Sequence, residues 1–448
     1  MVDAARRAAL LALNDVTERQ AYAHLTAKKH FSALEGQDRR FAHELLMGTL
    51  ERMVTLDWVL DQYIRSRRVH RVVRNGLRLG VYQILYLDRV PDAAACATTV
   101  ELMRSVGKDA LSGFVNGVLR SVAREARALP WPDRAADPVA YLSVRYSVPR
   151  WLAALWRDEM GEEEAEALLA CPARSGLVLR VNPFVKGSET VERELTEKGY
   201  AYRPGALAPG ALTVQAGELL RDELFHDGRV TVQGEASQWL AQVAAHDRPE
   251  SIWDACAAPG GKTAALAAAL GGKAHILATD VHPHRMSLVN RTLERLEVPG
   301  VTVSLHDATK SLDEDRDFDL VLVDAPCSGL GTYKNHPDIL MRMDPGKIAA
   351  LAALQRRILD NTARYVRPGG ILLYSTCTLT RAEDEEQVAG FLSRHPQFAP
   401  EGIAGLPGLG GRFDGGIVRL TPHRDGTEGF FVARLRRSAD PGEGAHGC

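Results

Sequence analysis

Two cysteines in this sequence follow buried strand candidates and have neighbours that suit nucleophilic chemistry. Cys327 lies in the run D-A-P-C-S and Cys377 ends the run S-T-C, after the strand candidates Asp319–Val323 and Gly370–Tyr374. Because the carboxyl ends of parallel strands meet at one edge of a sheet, we expect both sulfurs to face the same crevice. A single buried cysteine is usually inert, but a pair flanked by small polar residues and an aspartate favours a nucleophilic thiolate.

The chemistry that such a pair could perform is addition to an electron-poor ring carbon, such as carbon-6 of a pyrimidine. Carbon-5 of cytosine reacts poorly with a methyl sulfonium, and thiolate addition at carbon-6 makes it enamine-like. The addition needs a donor at N3, and Asp324 is placed for this role as a carboxyl kept protonated in a low-dielectric pocket. A base must then remove the carbon-5 proton, for which Cys327 is the candidate. Strand-end geometry alone does not decide which sulfur attacks.

A third feature, the run D-A-C-A-A-P-G-G-K-T at Asp254–Thr263, lies between a strand candidate and a helix candidate. Its small residues allow close approach of the backbone to a ligand, and the helix N-terminus offers free N–H groups. A Walker phosphate loop is excluded, because Cys256 stands where that loop needs glycine and Pro259 interrupts it. The G-x-G-x-x-G pattern is absent as well. The run therefore predicts a nucleoside-binding turn without a pyrophosphate cradle.

Two further aspartates follow the next strand candidates along the chain. Asp280 stands where a doubly wound fold places the carboxylate that binds ribose hydroxyls, and Asp307 is positioned to bind an adenine amino group. With Asp254 they form a series of strand-end acids beside a Gly-Gly turn. Such a series favours ligand binding over helix capping.

These residues require a fold that brings several strand ends together. From about residue 236 the sequence alternates strand and helix candidates, which predicts an α/β, doubly wound, mainly parallel sheet of the Rossmann-like type. Residues 4–128 repeat apolar residues at three- and four-residue spacing and predict an all-α domain of about five to seven helices. The expected domains are a helical domain at 1–135, a small α/β subdomain at 140–235, the main α/β domain at 236–436 and a disordered tail at 437–448.

Composition restricts the class of protein. With 45% hydrophobic and 25% charged residues the chain is an ordinary globular protein, and it contains no bilayer-length apolar run and no secretory signal. The six cysteines are scattered without a C-x-x-C pair, which argues against a disulfide framework and a zinc site and suits a reducing cytoplasm. We therefore expect a cytoplasmic protein that uses neither a metal nor a membrane. We also expect a monomer, an expectation that does not follow from composition.

Charge is distributed unevenly, although the formal net charge is only −2. Residues 1–130 contain 20 Lys and Arg against 14 Asp and Glu, whereas the remainder contains 35 against 43. Six arginines crowd one stretch of the basic part: Arg65, Arg67, Arg68, Arg71, Arg74 and Arg78. A solvated helix face and a footprint for RNA phosphates both fit such a run, and composition does not decide between them.

With these runs and H-P-D-I at His336–Ile339, the chain resembles the bacterial 16S ribosomal RNA cytosine-5 methyltransferases of the Sun/Fmu/RsmB type over nearly its full length. The resemblance implies Cys377 as the nucleophile and Cys327 as the residue that aids product release. It implies S-adenosylmethionine as the cofactor and 16S ribosomal RNA as the partner. Its implied cofactor contacts are Cys256, Ala257, Ala258, Pro259, Gly260, Gly261, Lys262, Asp280, Asp307 and Asp324.

The helical part is similar to the NusB-type RNA-binding domain that precedes the catalytic part in this family. That similarity favours RNA phosphates as the partners of the arginine run. The chain departs from the family at Glu428, which stands before Gly-Phe-Phe where the family has an aspartate.

Three alternatives compete with this interpretation. A DNA cytosine methyltransferase would follow its Pro-Cys nucleophile with Glu-Asn-Val, which is absent here. An RNA-binding assembly factor with a relict methyltransferase fold would have no reason to keep both cysteines and Asp324. A cytosine-5 methyltransferase acting on transfer RNA or 23S ribosomal RNA stays open, because the helical domain favours 16S RNA only by resemblance.

Overall fold

The computed structural model describes residues 3–65, 68–173, 176–208, 210–215, 217–312, 316–406 and 408–439. By its contacts the chain divides into two compact units. The first comprises Met1–Pro172 and Tyr333–Pro345, and the second comprises Ala173–Thr332 and Gly346–Cys448. Arg67 and most of the predicted tail lie outside the described residues. Within the described ranges, no helix is both long and apolar enough to cross a membrane.

The described part of the first unit is helical. Its helices are α1 (Ala4–Arg19), α2 (Ala23–His30), α3 (Gly36–Glu51), α4 (Met53–Tyr63), α5 (Arg71–Tyr86), α6 (Asp92–Ser105), α7 (Ser112–Glu125), α8 (Pro138–Tyr146), α9 (Arg150–Met160), α10 (Glu162–Ala170) and the short α16 (Ile339–Arg342). The apolar residues at helical spacing in α1 to α7 form one buried cluster. The prediction of an all-α N-terminal region is confirmed.

Helices α8 to α10 pack in the first unit, although the sequence placed most of them in the following subdomain. The Thr55 hydroxyl donates a hydrogen bond to the carbonyl of Val144 at 2.6 Å, and the Val54 amide donates to the Ser147 hydroxyl at 3.1 Å. These buried polar contacts join α8 to α4 across the proline-rich break that suggested a boundary. The three predicted domain boundaries stay predictions, since contacts divide the chain differently.

The segment Tyr333–Pro345, which carries the H-P-D-I run, also belongs to the first unit. The Lys334 ammonium donates to the carbonyl of Leu169 at 2.7 Å, and Asp338 accepts a hydrogen bond from the Ala23 amide at 3.3 Å. The Arg342 guanidinium lies 3.9 Å from the centre of the Tyr22 ring. The chain therefore leaves the second unit after the run that contains Cys327 and returns to it only after this segment.

The second unit begins with a small sheet and two short helices. Its elements are β1 (Leu177–Val181), α11 (Val191–Glu197), β2 (Tyr202–Pro204), β3 (Ala211–Val214), α12 (Glu223–His226) and β4 (Val230–Val232). The four strands are antiparallel and follow the order β2-β3-β1-β4. Leu179 and Leu212 on one face of this sheet bury the apolar side of α11.

A larger, eight-stranded sheet follows, with helices between its parallel strands. Its elements are α13 (Glu235–Ala245), β5 (Ser251–Asp254), α14 (Gly261–Ala269), β6 (His275–Asp280), α15 (Pro283–Arg295), β7 (Val301–Leu305), β8 (Phe318–Asp324), α17 (Pro345–Thr362), β9 (Val366–Thr376), α18 (Glu385–Arg394), β10 (Phe398–Pro400), β11 (Ile417–Leu420), α19 (Pro422–Asp425) and β12 (Phe430–Arg437).

The strand order β10-β12-β9-β8-β5-β6-β7 explains where a ligand would bind. Strands β9, β8, β5, β6 and β7 are parallel, and β12 adds antiparallel to β9. From β5 the chain proceeds to β6 and β7 on one side, and then continues at β8 on the other. The order reverses between β5 and β8, and such switch points bind ligands beyond the carboxyl ends of the strands. The predicted doubly wound, mainly parallel fold is confirmed.

Candidate active site

Residues 255–260, which we call the glycine loop, connect β5 to α14 at the switch point. The Ala257 amide donates to the carbonyl of Thr279 on β6 at 2.8 Å, and the Gly260 amide donates to Ala257 at 2.7 Å. Gly260 has φ +97°, and a Cβ there would lie 3.2 Å from the Cα of Val289 on α15. Only glycine tolerates both this backbone angle and this approach. The backbone of the glycine loop is therefore held in a fixed conformation before the N-terminus of α14.

A cavity of about 350 Å³ opens beside this loop, above the carboxyl ends of the parallel strands. Of the predicted cofactor residues, Cys256, Ala258, Asp280, Asp307 and Asp324 line it, and both Cys327 and Cys377 share the same lining. Ala257, Pro259, Gly260, Gly261 and Lys262 are not part of this lining. The strand ends thus converge as the sequence predicted, and the cavity has the size of a small-molecule site.

The two acids on the far wall of the cavity accept hydrogen bonds from residues that follow them in the chain. Asp280 accepts a hydrogen bond from the His282 amide at 3.0 Å and lies 3.6 Å from the Arg285 guanidinium. The Thr309 hydroxyl, at 2.7 Å, and the Thr309 amide hold the pKa of Asp307 below its ordinary value. Both carboxylates keep acceptor capacity for donors such as ribose hydroxyls and an adenine amino group. Their individual assignments to those groups stay predictions.

Asp254, grouped with these acids by sequence, has a different role. Its side chain is fully buried, the Thr263 hydroxyl donates to it at 2.6 Å, and its second oxygen has no hydrogen-bond partner among the described residues. Burial raises the pKa of Asp254 to about 7, and the nearby Asp324 contributes to the rise. Asp254 supports the glycine loop from beneath. Grouping it with the other strand-end aspartates therefore overestimated its part in ligand binding.

The two predicted cysteines meet at the base of the cavity, with their Sγ atoms 3.4 Å apart. The chain around them is tightly held, because the Gly331 amide donates to the Cys377 carbonyl at 3.0 Å and the Ala325 amide donates to Ser375 at 2.9 Å. A Cβ at Gly331 would lie 2.8 Å from that same Cys377 carbonyl oxygen. The predicted convergence of the two strand-end cysteines is thus present in the structure.

Electrostatics distinguish the two sulfurs. The hydrogen bond from Cys327 lowers the pKa of Cys377 despite burial, and the Lys262 cation adds to this effect. The same hydrogen bond, together with burial, raises the pKa of Cys327 well above its ordinary value. The arrangement therefore favours a Cys377 thiolate that accepts a hydrogen bond from a Cys327 thiol. A thiolate is the nucleophilic form of cysteine.

Lys262 and Asp324 form an ion pair beside the thiols, with Nζ and Oδ2 2.7 Å apart. The Ser375 hydroxyl donates to the other Asp324 oxygen at 3.0 Å. Burial disfavours the charge on Lys262, but Asp324 and Cys377 outweigh it and raise the pKa of the lysine. Asp324 thus accepts from two donors, one of them cationic. Its expected role as a protonated donor stays a prediction.

The buried carboxylate of Glu383, which the sequence analysis missed, joins the loops that carry Cys327 and Cys377. Glu383 is fully buried and accepts hydrogen bonds from the Ser328 amide at 2.8 Å, the Ser328 hydroxyl at 2.6 Å and the Gln355 amide at 3.1 Å. The Thr380 and Thr378 hydroxyls donate to it at 2.9 and 3.3 Å. We call this set the Glu383 network. Ser328 and Thr378, whose hydroxyl oxygens are 2.6 Å apart, each follow one of the cysteines.

Glu428, the departure from the family pattern, lies against the backbone at Gly234. A side chain at Gly234 would overlap the Glu428 carboxylate, and the Thr427 hydroxyl donates to that carboxylate at 2.9 Å. The charge of Glu428 opposes the lowering of the Cys377 pKa, as the weakest of the contributing effects. The longer acid is thus accommodated by a glycine.

The arginine run divides into two groups. Arg74 and Arg78 both form ion pairs with Asp57 on α4, at 2.9 and 2.6 Å, and Arg74 also pairs with Asp61 at 2.8 Å, so their charges are balanced within the unit. Their role in binding RNA phosphates stays a prediction, although α5 turns both towards α4. Arg65, Arg68 and Arg71 are exposed, whereas Arg67 lies outside the described residues. The charges available for phosphates are therefore fewer than the run suggested.

Comparisons with known proteins agree with this geometry. The sequence model of the family described as 16S rRNA methyltransferase RsmB/F matches residues 241–436, that of the NusB family matches residues 3–124, and that of the RsmF/B-like ferredoxin-like domain matches residues 148–218. A Bacillus subtilis (strain 168) protein named "Probable ribosomal RNA small subunit methyltransferase B" is 35% identical, over 96% of this chain and 98% of that protein.

Further relatives show the same full-length similarity. A Synechocystis protein of the same name is 34% identical over 97% of this chain and 99% of its own length. The crystal structure of PH0851 has a TM-score of 0.81 and 26% sequence identity, covering 98% of this chain and 99% of that one. Helical, connecting and catalytic parts are therefore matched together and in the same order.

Proposed function

The chain belongs to the 16S rRNA methyltransferase RsmB/F family, and from this premise we propose that it methylates carbon-5 of a cytosine in 16S ribosomal RNA with S-adenosylmethionine. The observation that carries the proposal is the pair of sulfurs, 3.4 Å apart, beside the Lys262–Asp324 ion pair at the base of one cavity. A methyltransferase that needed no covalent adduct would have no use for two adjacent thiols at this point.

The residues at the switch point suit S-adenosylmethionine. The cofactor presents ribose hydroxyls and an adenine amino group as donors, and Asp280 and Asp307 are acceptors on one wall of the cavity. The angle at Gly260 and its contact with α15 fix the path of the glycine loop, and the small residues of the loop would let a ligand approach its backbone. When bound, the cofactor supplies the electrophilic methyl group that carbon-5 accepts.

The remaining chemistry belongs to the side chains. The Cys377 thiolate forms a bond with carbon-6, and the displaced electron pair spreads over carbon-5 and N3 of the cytosine. We assign the donor at N3 to the Lys262 ammonium instead of a protonated Asp324, because this cation lies 2.7 Å from Asp324 beside the thiols. The Asp324 carboxylate can accept a hydrogen bond from the exocyclic amino group.

Release of the product requires removal of the carbon-5 proton and departure of Cys377. The pKa of Cys327 is raised by two main effects, of which its hydrogen bond with Cys377 is the larger and burial the second. Once the Cys377 sulfur is bonded to carbon-6, the first cause is gone, so the Cys327 thiol gives up its proton more readily. The Cys327 thiolate then takes the carbon-5 proton, the C–S bond breaks, and its electrons return to Cys377.

Substitution of each cysteine separates attack from release. We expect Cys377→Ala to abolish methylation and to retain S-adenosylmethionine binding, whereas Cys327→Ala should accumulate a covalent RNA–protein adduct on a denaturing gel. Cys171→Ser, at a free cysteine in the other unit, is the control. Turnover by the Cys377 variant, or a Cys327 variant that releases product without any adduct, would contradict the assignment.

The RNA substrate is tested separately from the chemistry. Bisulfite mapping of ribosomal RNA from a deletion strain should show one cytosine in 16S RNA that loses its methyl group. Loss of the modification from 23S or transfer RNA alone would transfer the same chemistry to a different RNA.

A further inference from the structure

The two cysteine loops are joined so closely that their sulfurs already stand in van der Waals contact. Besides the 3.4 Å approach of the sulfurs, the hydroxyls of the residues that follow them, Ser328 and Thr378, are 2.6 Å apart. Asp324 and Ser375, which precede them, are partners in the parallel pairing of β8 and β9. A disulfide needs an S–S distance of about 2.05 Å, so the sulfurs must approach by roughly 1.4 Å.

We propose that Cys327 and Cys377 form a reversible intramolecular disulfide when the protein meets a peroxide, which makes this pair an oxidative modification site. Such a site goes beyond methyl transfer and does not depend on it, because it needs only two adjacent thiols at the wall of an open cavity. The disulfide would occupy the sulfur that attacks carbon-6, so the oxidised protein would not form the RNA adduct.

The reaction proceeds in two balanced steps. The Cys377 thiolate attacks one peroxide oxygen, the O–O bond breaks, hydroxide leaves and takes a proton, and Cys377 becomes a sulfenic acid. Cys327, deprotonated, then attacks the Cys377 sulfur, the S–O bond breaks, and a second hydroxide leaves to take the Cys327 proton. Two thiols and one hydrogen peroxide thus give one disulfide and two waters, and the peroxide takes up both electrons.

The site suits each step. Because Cys377 is the sulfur with the lowered pKa, it supplies the thiolate for the first step, and the Lys262 cation contributes to that lowering against the opposing charges of Asp324 and Glu428. Cys327 stands within contact distance to resolve the sulfenic acid before a second peroxide oxidises it further. Without such a partner, a sulfenic acid proceeds to the sulfinic form, which thiol reductants do not reverse.

Cys256, in the lining of the same cavity, provides an internal comparison. Burial raises its pKa well above the ordinary value, and the carboxylates of Asp254, Asp324 and Asp280 raise it further. Cys256 therefore stays a thiol at neutral pH and should react with peroxide much more slowly than Cys377. A position in the cavity lining is therefore not sufficient for a cysteine to react quickly with peroxide.

The test uses the purified full-length protein, hydrogen peroxide as the probe, and mass spectrometry. After brief treatment with equimolar peroxide and alkylation of free thiols, the protein should show a loss of about 2 Da and two fewer alkylated cysteines. The peptides that contain Cys327 and Cys377 should be cross-linked, and dithiothreitol should release them. Cys256→Ser should form the same cross-link between the Cys327 and Cys377 peptides. Two alkylated peptides in the wild type, or a cross-link that includes another cysteine, would overturn the proposal.

A second variant tests whether Cys327 is the residue that resolves the sulfenic acid formed at Cys377. In Cys327→Ser the cross-link is absent, and we expect Cys377 to gain two or three oxygen atoms that dithiothreitol does not remove. If Cys377 of this variant returned fully to the thiol, Cys327 would not be the resolving residue. Because these measurements need neither RNA nor cofactor, their outcome is independent of whether the proposed methylation is correct.

Discussion

Glu383→Gln is the substitution that most directly tests how the loops that carry Cys327 and Cys377 are held. The change keeps the shape of the side chain and removes its charge. In the Glu383 network one carboxylate oxygen accepts from the Ser328 amide and Gln355, and the other accepts from the hydroxyls of Ser328, Thr378 and Thr380. Glutamine keeps an oxygen for the first group and turns an NH₂ donor towards the second.

The cost follows from the loss of charged acceptors in a buried place. A hydrogen bond to a charged group contributes about 1.5–3 kcal/mol and one between neutral groups about 0.5–1.5 kcal/mol. Three hydroxyls lose the charged acceptor, and the two hydrogens of the NH₂ let at most two of them rotate and accept, which recovers part of the loss. We therefore expect the free energy of unfolding to fall by about 2–4 kcal/mol.

Activity should fall more than stability alone would require. Because Ser328 and Thr378 directly follow the two cysteines, a shift of their hydroxyls displaces both sulfurs. A misplacement of about 1 Å in reacting groups costs on the order of 100-fold in rate. We expect a decrease of that order in kcat for methylation of a 16S RNA transcript, with an almost unchanged KM for S-adenosylmethionine.

The matched control is Glu386→Gln, an exposed acid in the first turn of α18. It should change the free energy of unfolding by a few tenths of a kcal/mol at most. Urea denaturation and steady-state kinetics of both variants give the comparison. A Glu383→Gln protein that is destabilised but retains the wild-type kcat would refute the positioning role, and one that matches the wild type in both would refute the network altogether.

Three further substitutions test separate parts of the structure. Because burial raises the pKa of Asp254 from 3.8 to about 7, the free energy of unfolding should decrease as the pH rises from about 4 to 7. Asp254→Asn should lack this decrease and should be about 2–4 kcal/mol more stable than the wild type at pH 8, as measured by urea denaturation. Gly260→Ala should weaken S-adenosylmethionine binding at least tenfold in calorimetry, through strain and contact with α15, whereas Gly271→Ala, at a positive φ in open space, should not. Arg71→Glu should lower the affinity for RNA and reduce the salt dependence of binding (the slope of log K against log salt) by about 1. Arg78→Glu should mainly lower the unfolding midpoint, because it breaks the ion pair with Asp57 on α4. Equal salt slopes for the two variants would exclude Arg71 from the RNA interface.

The sequence predicted the parts of the site that depend on strand ends. Alternating strand and helix patterns specify a parallel sheet, and its strand ends share one edge, so the convergence of Cys327, Cys377, Asp280 and Asp307 could be expected from the order of the elements alone. Each of these residues lies within a few positions of its strand. Chain connectivity alone therefore places them within narrow limits.

Contacts between distant parts of the chain could not be predicted in this way. Glu383 belongs to an acidic run that is typical of an exposed helix start, and nothing local shows that it turns inward to five donors. The partnership of Lys262 with Asp324 joins the first turn of a helix to the end of another strand. Arg74 and Arg78 meet Asp57 because α4 and α5 pack together, which a charge count does not reveal.

The insertion of Tyr333–Pro345 into the helical unit affects how the nascent chain can fold during synthesis. Helices α1 to α10 leave the ribosome first, yet Ala23 and Leu169 gain their contacts with Asp338 and Lys334 only after that late segment has emerged. By then β5 to β8 have been translated, while β9 and β12 have not. Completion of the early unit must therefore wait for the middle of the later one. The two units mature in an interleaved order, and no single cut in the gene would yield both as whole, independently folding products.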